Sequence, residues 1–167
     1  KLPKGNGSWP AIWMLGENIS SVGWPHCGEI DIMEHVGFDE GNIHSSIHTT
    51  DYNHMLNTQK SGHVTVPTAT DSFHVYSLEW DTTYIRYLID SEPFFFIYNN
   101  SGGNENKWPF NHSHYIILNL AIGGDWGGIQ GIDPNAFPME MEVDYVRVFK
   151  KSDSLNNVNV NLKVDMK

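Results

Sequence analysis

The segment Gly28-Glu29-Ile30-Asp31-Ile32-Met33-Glu34-His35 packs three carboxylates into one short run. In an extended strand Glu29 and Asp31 share a face, and Ile30 and Ile32 turn to the other. Glu34 lies five residues after Glu29 and falls on the wrong face of a regular strand. One extra residue in a β-bulge, around Met33, brings it back. Three acids then point into one space while the opposite face stays apolar. Crowded carboxylates repel, so at least one is expected to keep its proton at a raised pKa. A protonated acid beside an ionised carboxylate is what glycoside cleavage requires. In its retaining form one carboxylate attacks the anomeric carbon. The other protonates the leaving oxygen and then serves as base for water. The two stand about 5–5.5 Å apart, a separation that a bulged strand is suited to supply. Asp31, between them, is placed to hydrogen-bond the nucleophile and tune its charge.

Alternating acids also make an ordinary solvated sheet face, and Glu140, Glu142 and Asp144 show the same pattern. The surroundings of Glu29 separate the two cases. Trp9, Ala11 and Trp13 share one face of a preceding strand, with Ile12 and Met14 on the other. Trp24 comes five residues before Glu29. Indole faces stack on the C–H faces of pyranose rings, whose hydroxyls need polar partners. Any one of these tryptophans reads more readily as core, but the group beside the acids reads as a sugar surface. His44 and His48 have the spacing of a zinc-binding helix. However, Ser45 stands where a glutamate is needed, and the residues around them read as strand. Cys27 beside Gly28 reads as a small packed residue. The sequence holds no Gly-x-Ser-x-Gly elbow and no phosphate-binding loop.

The elements that must hold these residues have a period of two. Met139 to Tyr145 alternates apolar and acidic side chains, as a half-buried strand does. Ser72 to Trp80 and Thr83 to Asp90 form a hairpin signal around a short Asp-Thr-Thr connection. Pro93 to Tyr98 and His114 to Ile122 are further strands, and no long stretch carries a capped helical face. The spacing predicts an antiparallel all-β sandwich. Asn/Gly-rich loops at Tyr98–Trp108 and Gly123–Pro138 are placed to carry binding groups. Lys150 to Asn157 reads as a linker, and Val158 to Met166 as one lone strand that begins a further module.

The chain has 167 residues, of which 40% are hydrophobic, 13% aromatic and only 18% charged, so a folded core is expected rather than disorder. A formal charge of −10 repels nucleic acid and anionic membrane surfaces, and no apolar run is long enough for a spanning helix. A neutral or cationic partner is favoured. The single cysteine excludes an internal disulfide and a cysteine-rich zinc site.

Gly28-Glu29-Ile-Asp31-Ile-Met-Glu34 resembles the catalytic signature of glycoside hydrolase family 16 in its bulged Glu-x-Asp-x-x-Glu form. Trp9-Pro-Ala-Ile-Trp13-Met-Leu and His44-Ser-Ser-Ile-His48-Thr-Thr-Asp-Tyr52-Asn53-His54 resemble the strands that flank it in laminarinase-type members. Leu118-Asn119 through Gly124-Asp-Trp126, and Val143-Asp144-Tyr145, resemble the last strands of that domain. The resemblance implies a jelly-roll β-sandwich of two curved sheets with a concave cleft over residues 1–150. Residues 151–167 would be a linker and the start of an appended module. It implies retaining endo-hydrolysis of β-1,3-glucan outside the cell, with no cofactor in the chemistry. By position Glu29 is the nucleophile, Asp31 its electrostatic helper and Glu34 the acid/base. His48 approaches from the next strand, and Trp9, Trp13, Trp24, Asn119 and Trp126 are substrate-binding candidates. Asp144 resembles a ligand of a structural calcium ion. The first strands of the family's domain precede the position of Lys1, so unpaired sheet edges are expected, with the missing strands or further modules supplied by a parent protein. A glucan-binding protein that has lost its acids is the rival reading, and retention of all three acids disfavours it. Mixed-linkage glucan remains an alternative substrate. Agarose or carrageenan is less suited, since sulfated polymers want basic clefts.

Overall fold

The computed structural model describes residues 1–150, so the linker and lone strand read at 151–167 lie outside the described residues. The strands are β1 (Ser8–Gly16), β2 (Glu29–Glu34), β3 (Asn42–His48), β4 (Lys60–Thr65), β5 (Tyr76–Trp80), β6 (Tyr84–Ile89), β7 (Glu92–Tyr98) and β8 (His114–Ile122). One helical turn, α1 (Ile19–Val22), and two 3-10 turns interrupt them. The strands form two antiparallel sheets, of order β4-β3-β2-β1-β8 and β5-β6-β7, so the all-β sandwich expected from the period of two holds.

Hairpin chemistry builds the smaller sheet. Asp81 Oδ1 accepts the backbone N–H groups of Thr83 at 2.6 Å and Tyr84 at 3.2 Å, closing the β5–β6 turn. Asp90 and Ser91 take positive φ values of 50° and 73° and close the two-residue β6–β7 turn. β5 starts at Tyr76 rather than Ser72, because residues 66–72 are wound into turns by Ala69 N–H to Val66 O and Ser72 N–H to Thr68 O.

Strand alternation then sorts the faces. Met14, Ile30 and Ile47 of the larger sheet meet Ile85, Tyr87 and Ile97 of the smaller one, with Trp108 and Phe110 packed against the same core. A second cluster joins Met33 and Ile43 to Leu2, Ala69 and Ile89. The sheets approach closely at Gly62, where a Cβ would stand 2.5 Å from the Phe95 ring. Phe95 in turn stacks on Tyr87 with centroids 5.4 Å apart. Only glycine leaves that space.

Met139 to Tyr145 departs from expectation. Burial alternates from Met139 to Asp144 as the sequence predicts, but Tyr145 is exposed and the segment is not in a strand. Its ladder is a single reciprocal pair, Lys1 N–H to Glu142 O and Glu142 N–H to Lys1 O, each 2.9 Å. The pattern sets which side chains face inward, but a strand also needs a partner along its length. Among the described residues only the start of the chain supplies one.

Candidate active site

β2 is paired on both sides. Toward β1 its register is Leu15 with Glu29, Trp13 with Asp31, Ile12 with Met33 and Ala11 with Glu34. Toward β3 it is Glu29 with His48, Asp31 with Ser46 and Glu34 with His44. The extra residue is therefore Ile32, one position before the expected place, and the slip returns Glu34 to the face of Glu29 and Asp31. Ser45 donates its hydroxyl to the Ile32 carbonyl at 2.8 Å, giving the bulge an acceptor partner that the ladder does not. Gly28, at φ 79°, turns the chain into β2; a Cβ there would stand 2.7 Å from Pro109.

Each glutamate has its own indole donor. Trp24 Nε1 donates to Glu29 Oε2 at 2.7 Å, and Trp9 Nε1 donates to Glu34 Oε1 at 3.0 Å. These two tryptophans thus hold the acids by their N–H edges, a use that the expectation of sugar stacking did not contain. Trp13 donates instead to Asn119 Oδ1 on β8 at 2.7 Å, so those two predicted residues form one pair on the same sheet face. Trp126 meets Trp9 edge-on at 5.8 Å and His44 at 5.0 Å. His48 Nε2 lies 3.3 Å from Asp31 Oδ2 and 3.8 Å from Glu29 Oε1, as expected of a residue reaching over from the next strand.

Asp31 is 3% exposed and stands beside both glutamates. Burial pushes the Glu29 carboxyl up to about 8, and the Asp31 charge adds to it; His48 and the Trp24 N–H pull the other way. Burial likewise raises Glu34 to about 8, again with Asp31 adding and only the Trp9 N–H opposing. The two carboxyls reach the same value by different routes: at Glu29 a hydrogen bond with Asp31 offsets part of what His48 and Trp24 do for the anion, and at Glu34 only the Trp9 N–H favours it. For His48, burial disfavours the charged form, but the hydrogen bond to Asp31 and the charges of Asp31 and Glu29 outweigh it and raise its pKa.

Three side chains missed as site residues stand on this face. Ser46 donates a short hydrogen bond to Asp31 Oδ2. His44 lies against Trp126 and is 3.3 Å from Asp39 Oδ2 through Nε2. The His54 ring lies tilted against Trp24 at 5.0 Å and meets His48 edge-on at 5.2 Å. The alternation of β3 puts 44, 46 and 48 on one face, so the first two were within reach of the period; His54 sits in a 3-10 turn with no such signal.

Ligand atoms of Glu29, Asp31 and His48 lie within 4.8 Å of one another, the one group of this kind among the described residues. Indole and hydroxyl donors already point at these carboxylates, which suits proton chemistry rather than a cation. Asp144 is exposed and joins no such group among the described residues, so the side chains present do not make a calcium site by themselves.

The fold is a two-sheet β-sandwich whose bulged carboxylate strand lies beneath indole donors. The chain belongs to the glycosyl hydrolases family 16, whose sequence model matches residues 1–147. A β-glucanase from Rhodothermus marinus is 47% identical over 156 residues, covering 90% of this chain and 54% of the relative. The crystal structure of the laminarinase from Rhodothermus marinus superposes with a TM-score of 0.79 at 46% identity, over 83% of this chain and 58% of that one. A non-specific endo-β-1,3(4)-glucanase, SCLam, crystallised with 1,3-β-D-cellotriosyl-glucose, gives 0.80 at 46% identity, over 83% and 53%. The chain thus spans little more than half the length of these relatives. The architecture matches the jelly-roll of these laminarinase structures, as expected.

Proposed function

We propose that this chain carries the catalytic strand of a retaining endo-β-1,3-glucanase that acts outside the cell. The observation that supports it best is the pair of glutamates on one bulged strand, each tethered to its own indole with Asp31 between them. Glu29 reacts in its ionised form, having released its proton to solvent: its carboxylate attacks the anomeric carbon, and the leaving oxygen takes the proton of Glu34. Trp9 occupies Glu34 Oε1, which leaves Oε2 to carry that proton. A sugar bound over the site excludes water and strengthens every charge interaction there. Glu34, now ionised, then draws a proton from water as the water attacks the glycosyl–Glu29 ester, and both groups return to their starting states. The Trp13–Asn119 pair and Trp126 extend the surface beside the acids for further sugar rings.

Cleavage of mixed-linkage glucan is the second reading, since a similar structure is that of a non-specific endo-β-1,3(4)-glucanase. Incubation with laminarin, followed by reducing-end detection and product sizing, tests the reading. Short oligosaccharides absent from a Glu29→Gln control are expected. Retention of glucan without turnover would replace the enzyme by a binding protein.

A further inference from the structure

Ser46 faces Asp31 across the β2–β3 ladder and is 6% exposed. Its hydroxyl donates to Asp31 Oδ2 and lies 3.3 Å from His48 Nε2. Its carbonyl accepts the Tyr87 hydroxyl from β6 at 2.8 Å. The fully buried Tyr87 therefore pins this residue from the opposite sheet, while the side chain points up at the acid shared by both glutamates. A serine hydroxyl owns one proton, and here it goes to the carboxylate.

We propose that Ser46 is a positioning residue whose hydroxyl orients the Asp31 carboxylate between Glu29 and Glu34, and so sets the field in which those two glutamates hold their protons. Its effect on turnover rests on the glucanase reading above; its effect on the glutamate protons does not.

The groups that face this trio are few. Glu29 and Glu34 flank Asp31 on β2, the buried Cys27 thiol stands near Glu29 just before the strand, His48 and His44 face them from β3, and Tyr87 lies beneath on β6. His54 touches His48 from the following turn, and β1 offers only the indoles of Trp9 and Trp13. Loss of the hydroxyl removes the donor that orients the Asp31 carboxylate, which is then free to turn away from its neighbours. Glu29 and Glu34 lose part of the negative neighbour that holds their own protons on, and both titrate lower. The effect runs through a network, so packing alone would not reproduce it.

The test uses the full polypeptide that carries this sequence. Ser46→Ala is expected to move the basic limb of the kcat/KM profile toward acid by about half to one pH unit, while Ser46→Thr, which keeps the hydroxyl, leaves it near the wild-type position. A second measurement needs no substrate: ¹³C NMR titration of the glutamate carboxyls, assigned through Glu29→Gln and Glu34→Gln. The midpoints of Glu29 and Glu34 should fall together in Ser46→Ala. If Ser46→Ala does not fold, the near-isosteric Ser46→Cys, a weak donor, should shift them in the same direction. Unchanged midpoints in a folded variant overturn the proposal. Shifted midpoints in a protein that leaves laminarin intact would sink the glucanase reading and leave the role of Ser46 standing.

Discussion

β2 and β8 belong to one sheet, yet their inner faces are backed differently. Behind β2 and β3, Ile30, Met33, Ile43 and Ile47 are fully buried, against Ile85 and Tyr87 at the same burial. Behind β8, Ile116, Leu118 and Leu120 are only half-buried, and Ile122 is 40% exposed. The sheet order explains it, since β5 packs beneath β2 and β7 beneath β4, while among the described residues no strand of the smaller sheet is paired beneath β8. The carboxylates that must be held within a fraction of an ångström therefore stand on the closed half, where packing fixes their rotamers. Trp13 and Asn119, which would meet sugar rings farther from the reacting bond, bridge toward the less covered half.

The largest expected effects test whether the closed half does the chemistry. Glu29→Gln should lower kcat on laminarin by about 10⁴-fold or more, because no other group can form the glycosyl ester. Glu34→Gln should cost about 10²–10⁴-fold, with partial recovery on activated aryl glycosides that leave without a proton. Equal losses on laminarin and aryl substrates would reverse the assignment of the acid.

Packing supplies the next contrast. Ile30→Ala, at a fully buried site, should destabilise by about 2–5 kcal/mol in denaturant unfolding. Leu118→Ala, half-buried on the other half, should cost roughly 1 kcal/mol or less, because its side chain is already partly in water. Equal costs would remove the distinction between the halves.

Stability against pH sharpens the same comparison. The Glu29 and Glu34 carboxyls titrate near 8 in the fold and near 4.5 when exposed. Between those values the folded chain binds more protons than the unfolded one, so stability falls as pH rises. The contribution is complete below the exposed value and is lost as pH passes about 8. His48, also raised, works in the same direction. Asp39 and Asp90 are lowered from 3.8, so they lie outside this window. Glu34→Gln should then unfold several degrees above the wild type at pH 8, at about 2–4 °C per kcal/mol, and near it at pH 5. A thermal scan at the two pH values reads the difference.

The sequence made the closed half legible and the open half much less so. Glu29, Asp31 and Ile30 follow from strand period alone, and Glu34 from the need for one extra residue. That the extra residue is Ile32 rather than Met33 depends on Ser45 capping its carbonyl from β3, a contact between strands that one strand's pattern does not carry. The indoles were found by composition, but their use was not. A tryptophan offers a face and an N–H edge, and only the register of β1 against β2 decides that Trp9 gives its edge to Glu34. Met139 to Tyr145 failed for the opposite reason. Its alternation is real, but alternation records which side is buried and says nothing of whether a neighbouring strand lies within reach.

The smallest effect concerns the bridge between the halves. Asn119 lies on β8 beside Ala11, and its Oδ1 accepts the Trp13 indole at 2.7 Å. Asn119→Ala removes that acceptor and leaves the indole free to rotate, without touching either glutamate. A lost hydrogen bond of this kind is worth about 1 kcal/mol, or about fivefold in binding. The loss should fall on KM for long glucans and leave kcat nearly unchanged, because the pair positions sugar rings and does not contact the reacting bond. Trp13→Phe should match it, keeping the ring but not the N–H, and the double variant should cost little more than either single one. A drop in kcat with KM unchanged would place the pair at the reacting sugar and extend the catalytic region across β1 into the open half.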